Sequence, residues 1–392
     1  MKENRSNKKK QLELYLHIPF CVQKCQYCDF LSAPADYSLR EAYVQALIQE
    51  ICQKAPDYAD YSVPTIFIGG GTPSILDGGQ MTELMEAVFS HFQVMENAEI
   101  TVECNPGTLT AGKLFAYRRA QINRLSMGLQ SARAEELRML GRIHTFDDFL
   151  TNYDMARKAG FDNINVDLMS GLPGQTSMDW EITLSEVLRL RPEHISAYSL
   201  IIEEGTPFYE KYEEDEQRRE AGEEPLYLPD EAAERRMYEM TGQILKEKGY
   251  VPYEISNYAR PGRECRHNIG YWRRENYLGL GLGSASLVEN VRFSNTRNLS
   301  GYLKGQWEPE EVEVLSRREQ MEEFMFLGLR MTRGISRNSF RETFGIEIEG
   351  VYGTVLSRMY QQKLLKQESG RIFLTKSGVS VSNYVMSQFL LG

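Results

Sequence analysis

Short apolar runs alternate with longer segments of helical periodicity through the first 200 residues of the chain. The apolar runs lie at 12–18, 65–68, 100–104, 124–129, 163–168 and 194–201, and helical patterns between them include 43–52, 81–92 and 178–190. Regular alternation of strand and helix is typical of a parallel sheet. Six such units with right-handed crossovers predict an open (β/α)6 barrel whose site lies at the carboxyl ends of its strands.

The rest of the chain predicts a second, smaller domain. The acidic segment 203–224 predicts a solvated surface insertion, and a helix is expected at 229–248. Amphipathic helical patterns followed by a hairpin pattern in 319–392 predict a winged-helix-like α+β domain. The predicted divisions are a basic tail at 1–11, the barrel at 12–250, a connecting segment at 251–310 and the winged-helix-like domain at 311–392.

The composition of the chain restricts its expected cellular location and the kinds of partner that it binds. The chain has 392 residues and a net charge of −10, which argues against a nucleic-acid partner because phosphate binding depends on clustered Lys and Arg. The three lysines at 8–10 are interpreted as a solvated tail. No apolar run reaches the roughly 18 residues that span a bilayer, so a cytoplasmic location is expected. Thiols stay reduced there, and the six cysteines therefore indicate metal or redox chemistry rather than disulfides.

Polar and glycine-rich loops follow the predicted strands. Four of them read "GGGTP" at 69–73, "ECNPG" at 103–107, "SMGLQS" at 126–131 and "DLMSGLPGQT" at 167–176. Any one of these loops is explained by ordinary turn chemistry. Because the carboxyl ends of parallel strands meet at one edge, the loops together indicate a binding site there.

Three cysteines follow the first predicted strand, at Cys21, Cys25 and Cys28. A structural zinc site needs four closed ligands, usually in C-x2-C pairs, and only Cys25 and Cys28 make such a pair. His17 is a fourth ligand in principle, but it lies within the predicted strand, and Cys52, Cys104 and Cys265 have no partner spacing. An iron–sulfur cluster held by three thiolates keeps one iron free for a small molecule. The spacing favours such a cluster, with zinc as the alternative.

The motifs of this chain resemble those of the radical S-adenosylmethionine (SAM) superfamily. The C-x3-C-x2-C spacing after the first strand and "GGGTP" after the second carry this resemblance. Within the superfamily, "LYLHIPFC", "GGGTPS", "SMGLQS" and "DLMSGLPGQT" are similar to the group that contains oxygen-independent coproporphyrinogen III oxidase and a related heme chaperone. The resemblance runs from about residue 12 to the C-terminus and implies a partial (β/α)6 TIM-like barrel.

The resemblance also implies cofactors and the residues that hold them. Cys21, Cys25 and Cys28 would hold a 4Fe–4S cluster whose free iron binds SAM. The residues implied to contact the cluster or SAM are Tyr15, Tyr27, Gly70, Gly71, Thr72, Glu103, Gln130, Arg142 and Asp167. Ile201 is a weaker correspondence, because its surroundings match less well.

Two departures distinguish the chain from the oxidase branch. The oxidase pattern has a further cysteine two positions after the third, where this chain has Phe30, and a long segment before its cysteines, where only 20 residues precede Cys21. Both departures favour the heme chaperone branch. Oxidative decarboxylation of coproporphyrinogen III is the alternative function, and whether the protein is an enzyme is left open.

The chaperone branch carries an H-N-x-x-Y-W motif, which "HNIGYW" at 267–272 matches. The resemblance implies that His267 ligates heme iron while Tyr271 and Trp272 stack on the macrocycle. The alternative is a packed turn in which His267 caps a helix or satisfies a carbonyl. Relatives often show Gly-Ala-His-Ser after this motif. This chain instead reads Gly283-Ser284-Ala285-Ser286, so it lacks that histidine.

The partners implied by the resemblance are heme and proteins that accept heme, including membrane respiratory enzymes. A peripheral membrane contact and a homodimer are left open by the sequence.

Overall fold

The structure is a computed structural model that describes residues 9–391. Most of the predicted basic tail at 1–11 lies outside the described residues. Among those described, no helix is long and apolar enough to cross a membrane.

Six parallel strands in chain order form the centre of the main sheet. They are β2 (Glu13–Ile18), β3 (Tyr61–Gly70), β4 (Val94–Cys104), β5 (Arg124–Gln130), β6 (Ile164–Ser170) and β7 (His194–Ser199). The helices that connect them are α1 (Tyr37–Lys54), α2 (Gly78–His91), α3 (Ala111–Arg119), α4 (Ala134–Met139), α5 (Phe146–Lys158) and α6 (Ser177–Leu190). Capping boxes fix the starts of α2, α5 and α6. The six-unit barrel predicted from the sequence is confirmed.

The segment predicted as a connection extends this sheet at both edges. Beyond β2 come β10 (Tyr277–Leu280), β11 (Ala285–Val288), β12 (Val291–Ser294) and β13 (Glu310–Val314), and beyond β7 come β9 (Asn257–Ala259) and β8 (Val251–Pro252). β10 is parallel to β2, whereas the other added strands pair antiparallel. A further short strand, β1 (Lys10–Gln11), pairs with β3. These strands are two to five residues long, so hydrophobic periodicity gives little indication of them.

The acidic segment at 203–224 is more structured than a solvated insertion. It forms α7 (Pro207–Glu220), which buries Phe208 and Tyr212 against a small apolar cluster that includes Met169 and Leu200. Asp215 is also buried, and its carboxylate accepts the backbone N–H groups of residues 226, 227 and 228 at 2.7 Å each. The prediction is therefore corrected: the acidic face is solvated, but the opposite face packs on the barrel. The next helix, α8 (Glu231–Glu247), agrees with the predicted one.

The C-terminal part forms the predicted winged-helix-like domain with its own core. Its elements are α11 (Arg317–Arg330), β14 (Ile335–Ser336), α12 (Arg337–Phe344), α13 (Ile348–Gln361), β15 (Leu365–Glu368), β16 (Arg371–Leu374), α14 (Lys376–Ser380) and α15 (Ser382–Ser387). The hairpin β15–β16 is completed by β14 into a three-stranded sheet. Before this domain, α9 (Arg266–Trp272) and α10 (Leu299–Tyr302) lie within the strands that extend the main sheet.

Charged and aromatic contacts attach α11 to the barrel. The Glu323 carboxylate accepts hydrogen bonds from Arg274 at 2.7 Å and from Arg292 at 2.5 Å. The guanidinium of Arg330 lies 4.4 Å from the ring centroid of Trp272. The Trp272 side chain therefore belongs to the contact between the two domains.

A buried glutamate connects the added strands to α1. Glu50 is fully buried, and its carboxylate accepts hydrogen bonds from the Gly281 N–H at 2.8 Å, the Asn295 amide at 2.6 Å and the Tyr302 hydroxyl at 2.6 Å. Lys54 pairs with the same carboxylate at 2.8 Å. Because every donor is itself buried or partly buried, removing the carboxylate leaves several polar groups without a partner.

We expect Glu50→Ala to lower the free energy of unfolding by about 3–5 kcal/mol, because breaking a buried ion pair leaves an unsatisfied charge. Urea denaturation followed by circular dichroism measures the change. Gln49→Ala, at the exposed neighbouring position of α1, is the control and should have little effect. Equal stabilities of the two variants would contradict this account of Glu50.

Candidate functional site

The loop that carries Cys21, Cys25 and Cys28 is held to the barrel at several points. At its start, the Cys21 N–H donates to the Ala33 carbonyl at 3.1 Å. At its middle, the Gln26 N–H donates to the carbonyl of Leu140 at 3.1 Å, and the Gln26 carbonyl accepts the N–H of Phe208 at 3.0 Å. The acidic helix α7 thus contributes through its first turn to the position of the cysteines.

The glycines after β3 let this strand end pack directly on Cys21. The Gly71 N–H donates to the Ile18 carbonyl at 2.9 Å, and the Thr72 hydroxyl lies 3.6 Å from the Cys21 sulfur. A Cβ atom at position 71 would lie 2.6 Å from the Phe20 carbonyl oxygen and 2.9 Å from that sulfur. Glycine is therefore required at this close approach, as expected for a backbone that contacts a ligand or a ligand-bearing loop.

Arg142 connects a second cysteine to the strand ends. Its guanidinium donates to the Cys25 sulfur at 3.6 Å, to the Asn105 side-chain oxygen at 2.8 Å and to the Gly128 carbonyl at 2.5 Å. The Asn105 amide in turn donates to the Thr72 hydroxyl at 2.8 Å. A continuous hydrogen-bond network therefore runs from Cys25 to Cys21. Asn105 was not singled out in the sequence, although its loop "ECNPG" was.

A cavity of about 400 Å³ lies between the cysteine loop and the carboxyl ends of the strands. The predicted site residues that line it are Cys21, Cys25, Tyr27, Cys28, Gly70, Gly71, Thr72, Glu103, Gln130, Arg142, Asp167 and Ile201. Of the residues predicted to contact the cluster or SAM, Tyr15 is not among the lining residues. It lies inside the barrel, stacked on Phe67 and hydrogen-bonded to His17 at 3.0 Å. The structure brings the other residues predicted to contact the cluster or SAM together around this cavity.

Two carboxylates line the cavity opposite the cysteines. Glu103 accepts the Gly70 N–H at 3.1 Å, and Asp167 accepts hydrogen bonds from Ser126 at 3.0 Å and Asn165 at 2.8 Å. Burial, together with the neighbouring charge of Asp167, raises the pKa of Glu103 to about 8, and burial also raises the pKa of Asp167. A cationic ligand placed between them would favour their ionised forms.

Gln130 has an unusual backbone at the end of β5. Its φ is 71°, in the left-handed region that favours glycine, and the pairing of β5 with β6 shifts register at this point. Strained backbone of this kind is concentrated at functional sites, where surrounding contacts maintain it. In this backbone conformation, Gln130 lines the cavity.

The "HNIGYW" segment lies elsewhere, in α9. His267 is 1% exposed, and its ring nitrogens are hydrogen-bonded to Thr65 at 2.8 Å and to Tyr271 at 3.0 Å. Its ring stacks on Phe67, and burial lowers its pKa to about 3. This arrangement does not favour His267 as a heme ligand, because neither nitrogen is free, and it matches the packing alternative more closely. Trp272 packs against Arg330 at the domain contact.

The other residues considered as metal ligands in the sequence lie outside the cysteine loop. The Nε2 atom of His17 is hydrogen-bonded to the Leu31 carbonyl at 3.1 Å, Cys265 is buried beside Glu99, and Cys52 is exposed. Cys104 lines the cavity but is separate from the cysteine loop. Within residues 9–391, no three His, Cys, Asp or Glu side chains, those of the cysteine loop included, are arranged to hold a single metal ion.

The parallel six-unit barrel and its cysteine-lined cavity define the class of protein. The model of the radical SAM superfamily matches residues 15–187, and the model of the HemN C-terminal domain matches residues 315–381. The structure of coproporphyrinogen III oxidase (HemN) from Escherichia coli, a radical SAM enzyme, superposes with a TM-score of 0.83 at 23% identity, over 99% of this chain and 92% of that one. At this identity the superposition shows a shared fold.

Closer relatives narrow the class to a family. Heme chaperone HemW of Lactococcus lactis is 36% identical over 96% of this chain and 97% of its own length. The HemW proteins of Bacillus subtilis and Escherichia coli are 36% and 35% identical, over 96% and 97% of this chain and 98% of their own lengths. The chain therefore belongs to the HemW family of radical SAM proteins.

Membership of the superfamily implies a 4Fe–4S cluster and SAM as cofactors, and the residues present fit them. Three thiols face one cavity, two of them already accept hydrogen bonds, from Thr72 and Arg142, and such donors stabilise electron-rich sulfur. The cavity also offers carboxylates and glycine backbone for a small cationic ligand.

We expect Glu103→Gln to stabilise the cluster-free protein increasingly as pH rises. The folded state retains the Glu103 proton up to about pH 8, whereas the ordinary pKa is 4.5, so stability of the wild type falls across this interval. Relative to wild type, the variant should gain about 3–4 kcal/mol between pH 5 and pH 8 in urea denaturation. Glu86→Gln, at an exposed position of α2, is the control. A gain by both variants, or by neither, would contradict the assigned environment of Glu103.

Proposed function

We propose that the protein is a heme chaperone that binds heme and uses a 4Fe–4S cluster with SAM in delivering heme to hemoproteins. The observation that carries this proposal is the convergence of three cysteines, two carboxylates and a glycine-lined strand end on one cavity, in a chain of the HemW family. The HemW relatives, named heme chaperones, align over nearly their whole length. The proposal thus rests on both the site and the family.

Cys21, Cys25 and Cys28 would hold the cluster, which supplies an iron with a free coordination position and an electron for SAM. Thr72 and Arg142 would donate hydrogen bonds to the sulfurs, as they do to Cys21 and Cys25 here. These donors lower the negative charge on the cluster environment and orient the ligands. They also hold the loop in place before the cluster is bound.

The polar wall of the cavity would bind SAM. Glu103 and Asp167 accept hydrogen bonds from ammonium and hydroxyl donors, and the backbone at Gly70 and Gly71 permits close approach of the methionyl part. Gln130 supplies an amide that donates and accepts. Tyr27 contacts Phe208 of α7 and lies on the cluster side of the cavity. Each polar contact contributes about 1–3 kcal/mol when the site is desolvated.

The rim of the cavity supports heme binding better than the "HNIGYW" segment does. Phe30 is 63% exposed and Ile201 is 68% exposed, and both line the cavity. Val22 and Ile143, also exposed, line an adjoining pocket that shares Cys25 and Arg142 with it. An exposed apolar patch around a site suggests a ligand with an apolar face. We infer that heme contacts this rim.

Delivery of heme requires an acceptor hemoprotein, and we infer that membrane respiratory enzymes are among the acceptors. We propose a cytoplasmic location with it, together with the peripheral membrane contact and the homodimer that the sequence left open. The oxidase alternative is disfavoured by Phe30, which occupies the position of the fourth cysteine in the oxidase pattern. It is tested by an anaerobic assay for conversion of coproporphyrinogen III, in which we expect no protoporphyrinogen IX.

Anaerobic reconstitution should give one oxygen-sensitive 4Fe–4S cluster, and Ala at any one of Cys21, Cys25 and Cys28 should remove it. Iron and sulfide analysis with absorbance measures the outcome. Cys104→Ala and Cys265→Ala are the controls, the first because it lines the same cavity without belonging to the loop. Stoichiometric zinc without labile sulfide would overturn the cluster, and cluster loss in a control would show a different ligand set.

We expect Phe30→Asp and Ile201→Asp each to weaken heme binding about tenfold, since burying a large apolar side chain contributes about 1.5–3 kcal/mol. Heme titration followed by absorbance measures the affinity. Phe115→Asp is the matched control, because Phe115 is 64% exposed on α3 and does not line the cavity. His267→Ala, checked for folding by circular dichroism, should retain heme. Loss of heme by folded His267→Ala, with the rim variants unaffected, would assign heme to the "HNIGYW" segment instead.

A further inference from the structure

Asn105 occupies a fixed position directly after β4, at the edge of the candidate site. Its backbone N–H donates to the Ser74 hydroxyl at 3.1 Å, and its carbonyl accepts the Thr108 N–H at 3.1 Å and the Thr108 hydroxyl at 2.6 Å. The Asn105 residue lines the cavity that the three cysteines share. Backbone hydrogen bonds thus fix where this side chain begins, separately from the contacts that its amide group makes.

The two partners of the Asn105 amide fix its orientation. The Arg142 guanidinium has only donors, so the Asn105 side-chain oxygen must face it, at 2.8 Å. The amide nitrogen then faces the Thr72 hydroxyl, also at 2.8 Å, and donates to it. The opposite orientation would place amide hydrogens against guanidinium hydrogens. The Asn105 side chain is therefore an acceptor towards Arg142 and a donor towards Thr72.

This orientation determines where the Thr72 hydroxyl donates. The hydroxyl has one hydrogen, and its oxygen already accepts a hydrogen from the Asn105 amide. Its own hydrogen is left for the Cys21 sulfur, which lies 3.6 Å away. Thr72 is 2% exposed, so bulk water does not compete for that hydrogen. Asn105 thereby directs a hydrogen bond onto Cys21.

The Asn105 oxygen has a corresponding effect on Arg142. The Nη2 atom of the guanidinium carries two hydrogens, and each has one acceptor, the Asn105 oxygen at 2.8 Å and the Gly128 carbonyl at 2.5 Å. Two acceptors on one nitrogen fix the plane of the rigid guanidinium. The Nη1 atom is consequently held 3.6 Å from the Cys25 sulfur. One amide thus orients the donors to two of the three cysteines.

Hydrogen bonds to the ligating sulfurs influence the reduction potential of an iron–sulfur cluster. A donor stabilises negative charge on sulfur, and the reduced cluster carries one more electron than the oxidised cluster, so each donor raises the potential. We propose that Asn105 is a positioning residue that sets the reduction potential of the cluster by orienting the two side chains that donate to Cys21 and Cys25. This inference rests on the proposed function, since it assumes that these cysteines hold a 4Fe–4S cluster.

The first test variant, Asn105→Asp, keeps the size of the side chain and the acceptor for Arg142. A carboxylate has no hydrogen to donate, so the Thr72 hydroxyl should donate to it and no longer to the Cys21 sulfur. Anaerobic redox titration followed by electron paramagnetic resonance measures the effect. At a fixed potential, the ratio of reduced to oxidised cluster should fall at least tenfold, which is about 59 mV for a one-electron couple.

The matched control is Asn97→Asp, which makes the same change at an exposed position of the same strand, seven residues before its end. Its charge is distant from the cysteines and screened by solvent, so the potential should equal that of the wild type.

Two neutral variants separate hydrogen bonding from added charge. Thr72→Val removes the donor to Cys21 with little change of shape, and Asn105→Leu removes both contacts of the amide. Each should lower the reduced-to-oxidised ratio by about threefold or more. Resonance Raman spectra give a second measurement, because the hydrogens on Thr72 and Arg142 exchange with deuterium. The Fe–S stretching bands of the wild type should shift in D2O, and this shift should be smaller in both variants.

A double-mutant cycle keeps the test decisive if Asn105→Leu does not retain its cluster. In the Thr72→Val background the hydroxyl is absent, so adding Asn105→Asp should change the potential less than it does in the wild type. Equal changes in the two backgrounds, or a wild-type potential and wild-type Raman bands in Asn105→Leu, would overturn the assignment. Absence of a cluster from the reconstituted wild type would instead overturn the proposed function, so the two failures are distinguishable.

Discussion

The Arg142 guanidinium is the interaction on which the geometry of the site depends. It contacts Cys25 on the loop, Asn105 after β4 and the Gly128 carbonyl in β5, and through Asn105 it reaches Thr72 beside Cys21. Arginine suits this position because its fixed array of donors can serve three acceptors at once, which lysine cannot do with the same geometry. These hydrogen bonds fix the positions of two of the three cysteines relative to the barrel before any cluster is present.

Below the candidate site, the interior of the barrel contains a second cavity that is lined mostly by polar side chains. Glu103 and Asp167 are kept between two cavities instead of being packed in apolar side chains. Burial raises the pKa of both carboxyl groups, and the charge of Arg124 opposes this shift only in part. α9 closes the other end of the barrel, where His267 is stacked on Phe67. The "HNIGYW" segment thus has a structural role in forming this interior, whichever surface binds heme.

The sequence predicted the central barrel well because each of its six strands carries a local apolar pattern. It missed the strands at 251–314, since they are short and are defined by pairing with distant segments such as β2 and β7. The cavity residues were identified through motifs at strand ends, but Asn105 was not singled out. Its role arises from hydrogen bonds with Thr72 and Arg142 in other loops, which no local pattern reveals. The environment of His267 likewise depends on Thr65, some 200 residues away in the chain.

The central claim is that the three cysteines hold a cluster whose free iron faces the carboxylate-lined wall of the cavity. Electron–nuclear double resonance on the reduced, reconstituted protein with SAM labelled with ¹⁵N and ¹⁷O in its amino and carboxylate groups tests it most directly. Hyperfine couplings from both labels are expected, as direct coordination to the cluster requires. Bound SAM that shows no coupling from either label would contradict the account.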